Sequence, residues 1–440
     1  MTSLDRMASL PGYFPSHWPV ECGGNRRQKA ARGGLHARGA TPVATTRIND
    51  RWNVMAVQRG EGAIYVGGTM SAFVGPPPFG WVERIDPSTL DPIAQSPELP
   101  CGDHVWCGAI AVHENGDIIK VNGSFMHRLD PDCRVIAERK LPVDRAHNGL
   151  LILSDGTIVT KDLRLAGQGP STVTRLSPDG LEVIGDPLQL PEGSMGRIAS
   201  DLGGEGEFIY VPGVERLWRI RVNGDQMEID RDWQPEYRAE PGNQGMAWDG
   251  CISDDHLWIM DCGDIDSIRA IYSRHPNGRF DSPDARLSWR RPAPWQGRQR
   301  LLRVSLADGS VDAIAPFDTA GGGIIAPPVN VPELELCIAW DSINGGIAGI
   351  STAGDELSVA WHIDARPSMQ PVVFPETGEL VINDYHDNDD QLIVVDMHTG
   401  QIVSRISSGS RLANGMFLTP GLDRDIYYCS TFAIARVQWQ

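Results

Sequence analysis

Three short stretches of this chain open an apolar run with an amide or carboxylate followed at once by glycine. They are His147-Asn148-Gly149-Leu150, Trp248-Asp249-Gly250-Cys251 and Ala413-Asn414-Gly415-Met416. Asn53, in Trp52-Asn53-Val54, holds a comparable position without the glycine. Carboxylate and amide oxygens, with water completing the shell, suit a hard divalent cation: calcium first, with magnesium, manganese and zinc also served by such ligands. Glycine next in line lets the backbone turn sharply and approach the site. The same dipeptides are the commonest tight-turn pairs, so placement decides between ligand and turn. Here the pairs begin apolar strands, whereas Asn115-Gly116 and Asp155-Gly156 follow them.

A second group of acids closes apolar runs: Asp162 (VTKD), Asp261 (WIMD), Asp341 (IAWD) and Asp384 (VIND). Asp261 and Asp384 are candidate general bases, the alternative being carboxylates that cap loops or solvate a rim. Together the four would make one mouth acidic and concentrate cations there. His147, His104 (GDHVWCG) and His386 (NDYHDND) complete the catalytic candidates. A neutral imidazole can take a proton from metal-bound water, and His147, beside Asn148, is the foremost of the three. A histidine near a loop is otherwise a surface or satisfied structural group.

These residues recur because the chain repeats. GAIAVHENG-DIIKVNG-SFMHRLDPD-CRVIAERKL (108–141) and QPVVFPETG-ELVINDYHDNDD-QLIVVDMHTG-QIVSRISSG (370–409) are its clearest copies. A unit of four short strands in about 45 residues is a β-propeller blade. The expected fold is therefore all-β, a single β-propeller of eight four-stranded blades, with seven as the alternative count. The last unit stops after its third strand, and ATPVATTRI (40–48) supplies the fourth, so an N-terminal strand closes the ring and removes exposed edges. In such a ring the inner strand of each blade starts on the rim where the second strand ends. The amide-glycine pairs and the closing aspartates then share one channel mouth. Residues 40–440 form the propeller. Residues 1–39 form an arm, partly flexible, expected on the outside of the ring, with Arg26, Arg27, Lys29, Arg32 and Arg38 as a solvated basic stretch. An insertion at about 263–299, rich in Arg, Pro and Trp, is expected to cap the mouth and, with the loop Met70 to Gly80, to shape an apolar substrate pocket.

Composition narrows the function. With 57 acidic against 39 basic side chains and a formal net charge of -18, nucleic acid is excluded as a partner, since its binding depends on Lys and Arg neutralising phosphates. No apolar run approaches the ~18 residues of a membrane span. Eight scattered cysteines, without a CxxC pair and without a secretory pattern at the start, point to reduced thiols and a cytoplasmic setting. The partner expected is a small-molecule substrate; oligomeric state is not legible.

HNGLLILSDGTIVTKD, WDGCISDDHLWIMD and ANGMFLTPGLDRDIYYCS resemble strand starts of the SMP-30/gluconolactonase, strictosidine synthase-like and paraoxonase-type propellers. The relation is distant, one of architecture more than of activity, since that group has six blades. It implies a divalent cation on the channel axis held by Asn148, Asp249 and Asn414, with Asn53 the nearest occupant of a further acidic ligand position. It also implies hydrolysis of lactones or related esters. The leading functional reading is thus a metal-dependent hydrolase of a lactone or ester, in which the cation polarises the carbonyl and His147 or a carboxylate activates water. The first alternative is a non-catalytic propeller that binds a ligand or protein. The second is a quinoprotein-like oxidoreductase, which the 13 tryptophans and Thr399-Gly400 faintly suggest and the lack of adjacent cysteines opposes.

Overall fold

The computed structural model describes residues 10–70, 78–104, 106–164, 167–238, 247–261, 297–323, 326–386, 389–410 and 415–440. The cap-like insertion, apart from residues 297–299, the loop tip at 71–77, Cys262 and Asn414 lie outside these residues, as do the side chains at 415–416.

The chain forms an eight-bladed β-propeller. Six blades are separate four-stranded antiparallel sheets, for example His147–Ile152, Ile158–Asp162, Thr172–Leu176 and Leu188–Gln189. The other two share one sheet, joined through the strand Pro42–Gln58. Its first half pairs with the chain's last strand, Pro42 opposite Trp439 through Ile48 opposite Ala433. Its second half pairs with Ile64–Met70 as the inner strand of the first blade. The span Asp425–Trp439 folds back on itself at Phe432, which has φ +66°, so that Trp439 N–H donates to Arg424 O at 3.1 Å. The expected closure by 40–48 is therefore present, and it gives the last blade its fourth, outermost strand.

Burial follows position in the blade. Inner strands such as Ala109–Val112 and Val372–Phe374 are buried throughout, because neighbouring blades cover both faces; their sequences are unbroken apolar runs. The fourth strand Val135–Lys140 meets solvent along its length and reads Val-Ile-Ala-Glu-Arg-Lys. Between first and second strands the turn often needs a left-handed residue, supplied by Gly156 at φ +82°.

The arm departs from expectation. Residues 10–39 do not lie outside the ring; they cross its interior at the end where the inner strands finish. Phe14 N–H donates to Val112 O, Gln58 N–H to Trp18 O, Ser200 N–H to Asn25 O, Ile252 N–H to Arg26 O and Ala31 N–H to Val373 O. Asn25 Nδ2 reaches Ile152 O, Lys29 Nζ reaches Pro327 O, and Arg424 Nε donates to Leu35 O. These contacts touch all eight blades. Arg27 and Lys29, taken from sequence as solvated, are each 1% exposed. The cause is geometric: eight inner strands enclose an axial space too wide for their own side chains, and unpaired backbone groups on their inner edges need partners. The arm supplies both volume and hydrogen bonds.

Candidate functional site

The amide-glycine pairs turn out to be β-bulges. Pairing with the second strand slips between His147 and Leu150, between Ala247 and Gly250, between Gly415 and Phe417, and between Asn53 and Met55. An extra residue at the start of an inner strand bends it and re-aims the side chain before the slip. Gly149, at φ +72°, provides the left-handed position such a bulge asks for. A Cβ on Gly196, in the entry to the next blade, would lie 1.2 Å from Trp248 O, so the fifth blade's bulge packs directly on that segment.

Asn148 and Asp249 flank the same stretch. Asn148 Nδ2 donates to Met195 O at 2.7 Å, and Asp249 Oδ1 accepts from Arg197 N–H at 2.6 Å. Asp249 Oδ2 accepts from Arg27 of the arm at 2.9 Å. Arg27 also pairs with Glu21, and Arg197 NH1 pairs with the other Glu21 oxygen at 2.5 Å. All four side chains of this network are at most 3% exposed. Arg197 further contacts Gly108 O at 3.2 Å and Cys107 Sγ at 2.9 Å, and its guanidinium lies 5.1 Å from the Phe417 ring. Two arginines and two acids thus form a closed, charge-balanced cluster inside the ring.

Asn53 is not part of it. Its side chain is spent on Asn49, at 2.8 and 3.0 Å, and on Ser430 O at 3.0 Å, tying the first blade to the last. Among the described residues no three His, Cys, Asp or Glu side chains gather as a metal-binding group. The ligand set expected for a divalent cation therefore does not fit these residues: Asp249 already holds a guanidinium, Asn148 keeps only its Oδ1 without a partner, and Asn53 faces elsewhere.

The mouth is not the acidic ring that sequence suggests. Asp162 Oδ2 meets Arg164 Nε at 2.6 Å, Asp261 Oδ2 meets Arg300 Nε at 3.2 Å and Asp384 Oδ2 meets Arg405 NH1 at 2.7 Å. Their other oxygens accept backbone N–H from Thr172, Arg300 and Arg366. Burial pushes the carboxyl of Asp261 up to about 6. Asp261 and Asp384 are thus occupied as structural caps. Fully buried Lys120 and Lys161 add positive charge to the interior, and burial drives both amines down to about 7. Lys161 Nζ donates to Ser194 O at 2.9 Å and Asp162 O at 3.1 Å, bridging adjacent blades.

The histidines separate. His104 Nε2 sits 3.3 Å from Asp144, both part-exposed. His386 bridges Asp384 at 3.0 Å and Arg366 at 3.1 Å. His147 is fully buried, opposite Asp162. Its Nδ1 faces two carbonyls, Gly123 O at 3.2 Å and Arg145 O at 3.0 Å, so Nδ1 carries the proton and Nε2 is the bare acceptor, with no partner. Burial lowers its pKa to about 4. Sequence reasoning missed Glu21, Arg197 and the two lysines, and placed Arg27 in solvent. Lysine inside the apolar runs IIKVN and IVTKD was the available signal; for the arm, charge inside Trp-Pro-Val-Glu-Cys was the only one.

Eight blades, a threaded arm and bulged inner-strand starts define a β-propeller. No family model matches the chain, and no curated protein matches it. Among solved structures it is similar to Sqt1 from Chaetomium thermophilum, with TM-score 0.56, 11% identity, and 90% of this chain and 98% of that one covered. It is also similar to a europium-containing methanol dehydrogenase, with TM-score 0.56, 10% identity, and 97% and 90% covered. A putative gluconolactonase matches with TM-score 0.36 and 16% identity over 67% of this chain and 88% of that one. The first two likenesses are of fold alone. Among the described residues no helix is long and apolar enough to cross a membrane.

Proposed function

We propose that this propeller is a binding module for a small molecule, received at the mouth where the inner strands begin, rather than a metal-dependent hydrolase. The observation that carries the reading is Arg27, whose guanidinium reaches Asp249 Oδ2 at 2.9 Å. A built-in cation holds the post a catalytic cation would need, and the acids nearby are consumed as caps. The arm fills the far end of the ring, so a ligand enters from one side only. Trp106 packs on the buried Trp248, with ring centroids 6.3 Å apart, on the strand that carries Asp249. All described cysteines are free and buried, which supports a reducing, cytoplasmic setting.

One observation favours a second reading, hydrolysis without an axial cation. The unpartnered Nε2 of neutral His147 is an available general base. Both readings meet in one experiment: elemental mass spectrometry of untagged protein beside turnover of a panel of lactones and aryl esters. Metal well below one atom per chain and no turnover is the expected result. Turnover by metal-free protein, lost in His147→Gln, would instead establish the second reading. Near-stoichiometric metal lost in Asn148→Ala/Asp249→Ala, with lactone hydrolysis, would refute both.

A further inference from the structure

Four aspartates hold the same post, at or near the end of a blade's second strand. For three of them the equivalence is visible in the backbone: the residue after the aspartate donates its N–H to the segment entering that blade's inner strand. Leu163 donates to Ala146 O at 2.8 Å, Ser342 to Gly323 O at 2.8 Å and Tyr385 to Arg366 O at 3.2 Å. In three blades the arrangement is alike, with Oδ1 on a backbone N–H and Oδ2 on an arginine. Asp341 breaks the pattern. Its Oδ1 accepts from Gly323, Ile343 and Asn344 N–H at 3.1, 2.8 and 3.0 Å. Its Oδ2, on a side chain 1% exposed, has no partner.

The surroundings are bare in the same way. Gln299 is fully buried with both Oε1 and Nε2 unpartnered, and Ser342 Oγ is unpartnered too. Gly322 lies against both side chains: a Cβ there would stand 2.6 Å from Asp341 Oδ2 and 3.3 Å from Gln299 Cβ. Its φ of +91° is one that a side chain rarely adopts. A buried polar group left unmet in this way destabilises the fold. Asp341 Oδ2 and the Gln299 side chain thus both border Gly322, with Ser342 the next residue along the chain, so three unmet oxygens and one amide donor lie around the post where the sister blades place a cationic group.

We propose that Asp341 Oδ2, Gln299 and Ser342 Oγ form a site for the primary ammonium group of a small organic ligand. A –NH3+ donates to Oδ2, Oε1 and Oγ, and a neighbouring hydroxyl or carboxylate oxygen of the same ligand accepts from Gln299 Nε2. A bare metal ion satisfies the oxygens and leaves that amide N–H unmet. The inference rests on the reading of the mouth as a binding site and names the chemistry it takes.

The test is isothermal titration of the full chain with ethanolamine, beside choline, sodium chloride and calcium chloride. Ethanolamine is expected to bind saturably and choline, which has no N–H, not to bind. Asp341→Asn keeps an acceptor for the three backbone amides and turns Oδ2 into a donor; it should weaken ethanolamine by about 10- to 100-fold. Gln299→Leu and Ser342→Ala should weaken it as well, and they carry the test if Asp341→Asn does not fold. No saturable binding, equal binding by Asp341→Asn, equal binding of choline, or Asp341-dependent binding of sodium or calcium alone would each overturn the assignment. Lactone turnover would remove the binding-module reading and leave this titration to be judged by itself; failed titration without turnover removes only this inference.

Discussion

Replacing Arg27 by methionine asks whether the arm is structural. The change removes one cation from a cluster of two arginines and two acids, all at most 3% exposed. Glu21 then keeps the Arg197 guanidinium while Asp249 keeps only the Arg197 backbone N–H, and one buried negative charge is uncompensated. Breaking a buried pair from one side costs about 3–5 kcal/mol. At roughly 2.1 cal/mol/K per residue, the unfolding entropy of 440 residues is about 0.9 kcal/mol/K, so the melting temperature should fall by about 3–5 °C. The measurement is differential scanning calorimetry of the parent, Arg27→Met, Asp249→Asn and the double variant. The double variant leaves Glu21 with Arg197 as a balanced pair, so its loss should be clearly smaller than the sum of the singles. Hydrogen exchange across 10–39 should rise in the single variant alone. A solvated arm predicts a change within about 0.5 kcal/mol; that result, or strict additivity in the cycle, would refute the plugged channel.

Two further outcomes test other parts of the account. The amine of Lys161 lies near 7 in the folded protein, below its ordinary 10.5, so the unfolded chain binds the extra proton between those values and folding gains as pH rises from about 7 towards 10. The stability difference between the parent and Lys161→Met should shift towards the parent across that window, by on the order of 1 kcal/mol per pH unit; a flat difference in urea titrations would contradict the buried amine. Gly196→Ala forces a Cβ to within 1.2 Å of Trp248 O, and backbone must move, so loss of more than about 3 kcal/mol or failure to accumulate folded protein is expected in a thermal melt. A change below about 1 kcal/mol would mean that blades four and five do not pack as described.

Much of the fold was legible because it is local. Strand lengths, the Gly and Asp turns, and the missing last strand supplied by 40–48 are written in neighbouring residues. The site was legible only in part. Asn148, Asp249 and Asn53 stand out in the sequence, since an amide or acid opening an apolar strand is unusual in any setting. Their meaning was not legible, because a bulge and a cation ligand demand the same residues at that post. Asp261 and Asp384 were equally visible, yet Arg300 and Arg405, not a substrate, hold their oxygens.

The sequence by itself determined a propeller of eight or seven blades, its closure and the rim on which its polar strand ends gather, since short apolar runs and turn chemistry act within a few residues. Only the tertiary structure decided what fills that ring. Arg27 and Asp249 stand 222 residues apart, and Asp341, Gln299 and Gly322 meet across two blades. No spacing along the chain records such meetings. Charge balance in a dry interior does, because each buried group must find a partner wherever the closed ring brings one within reach.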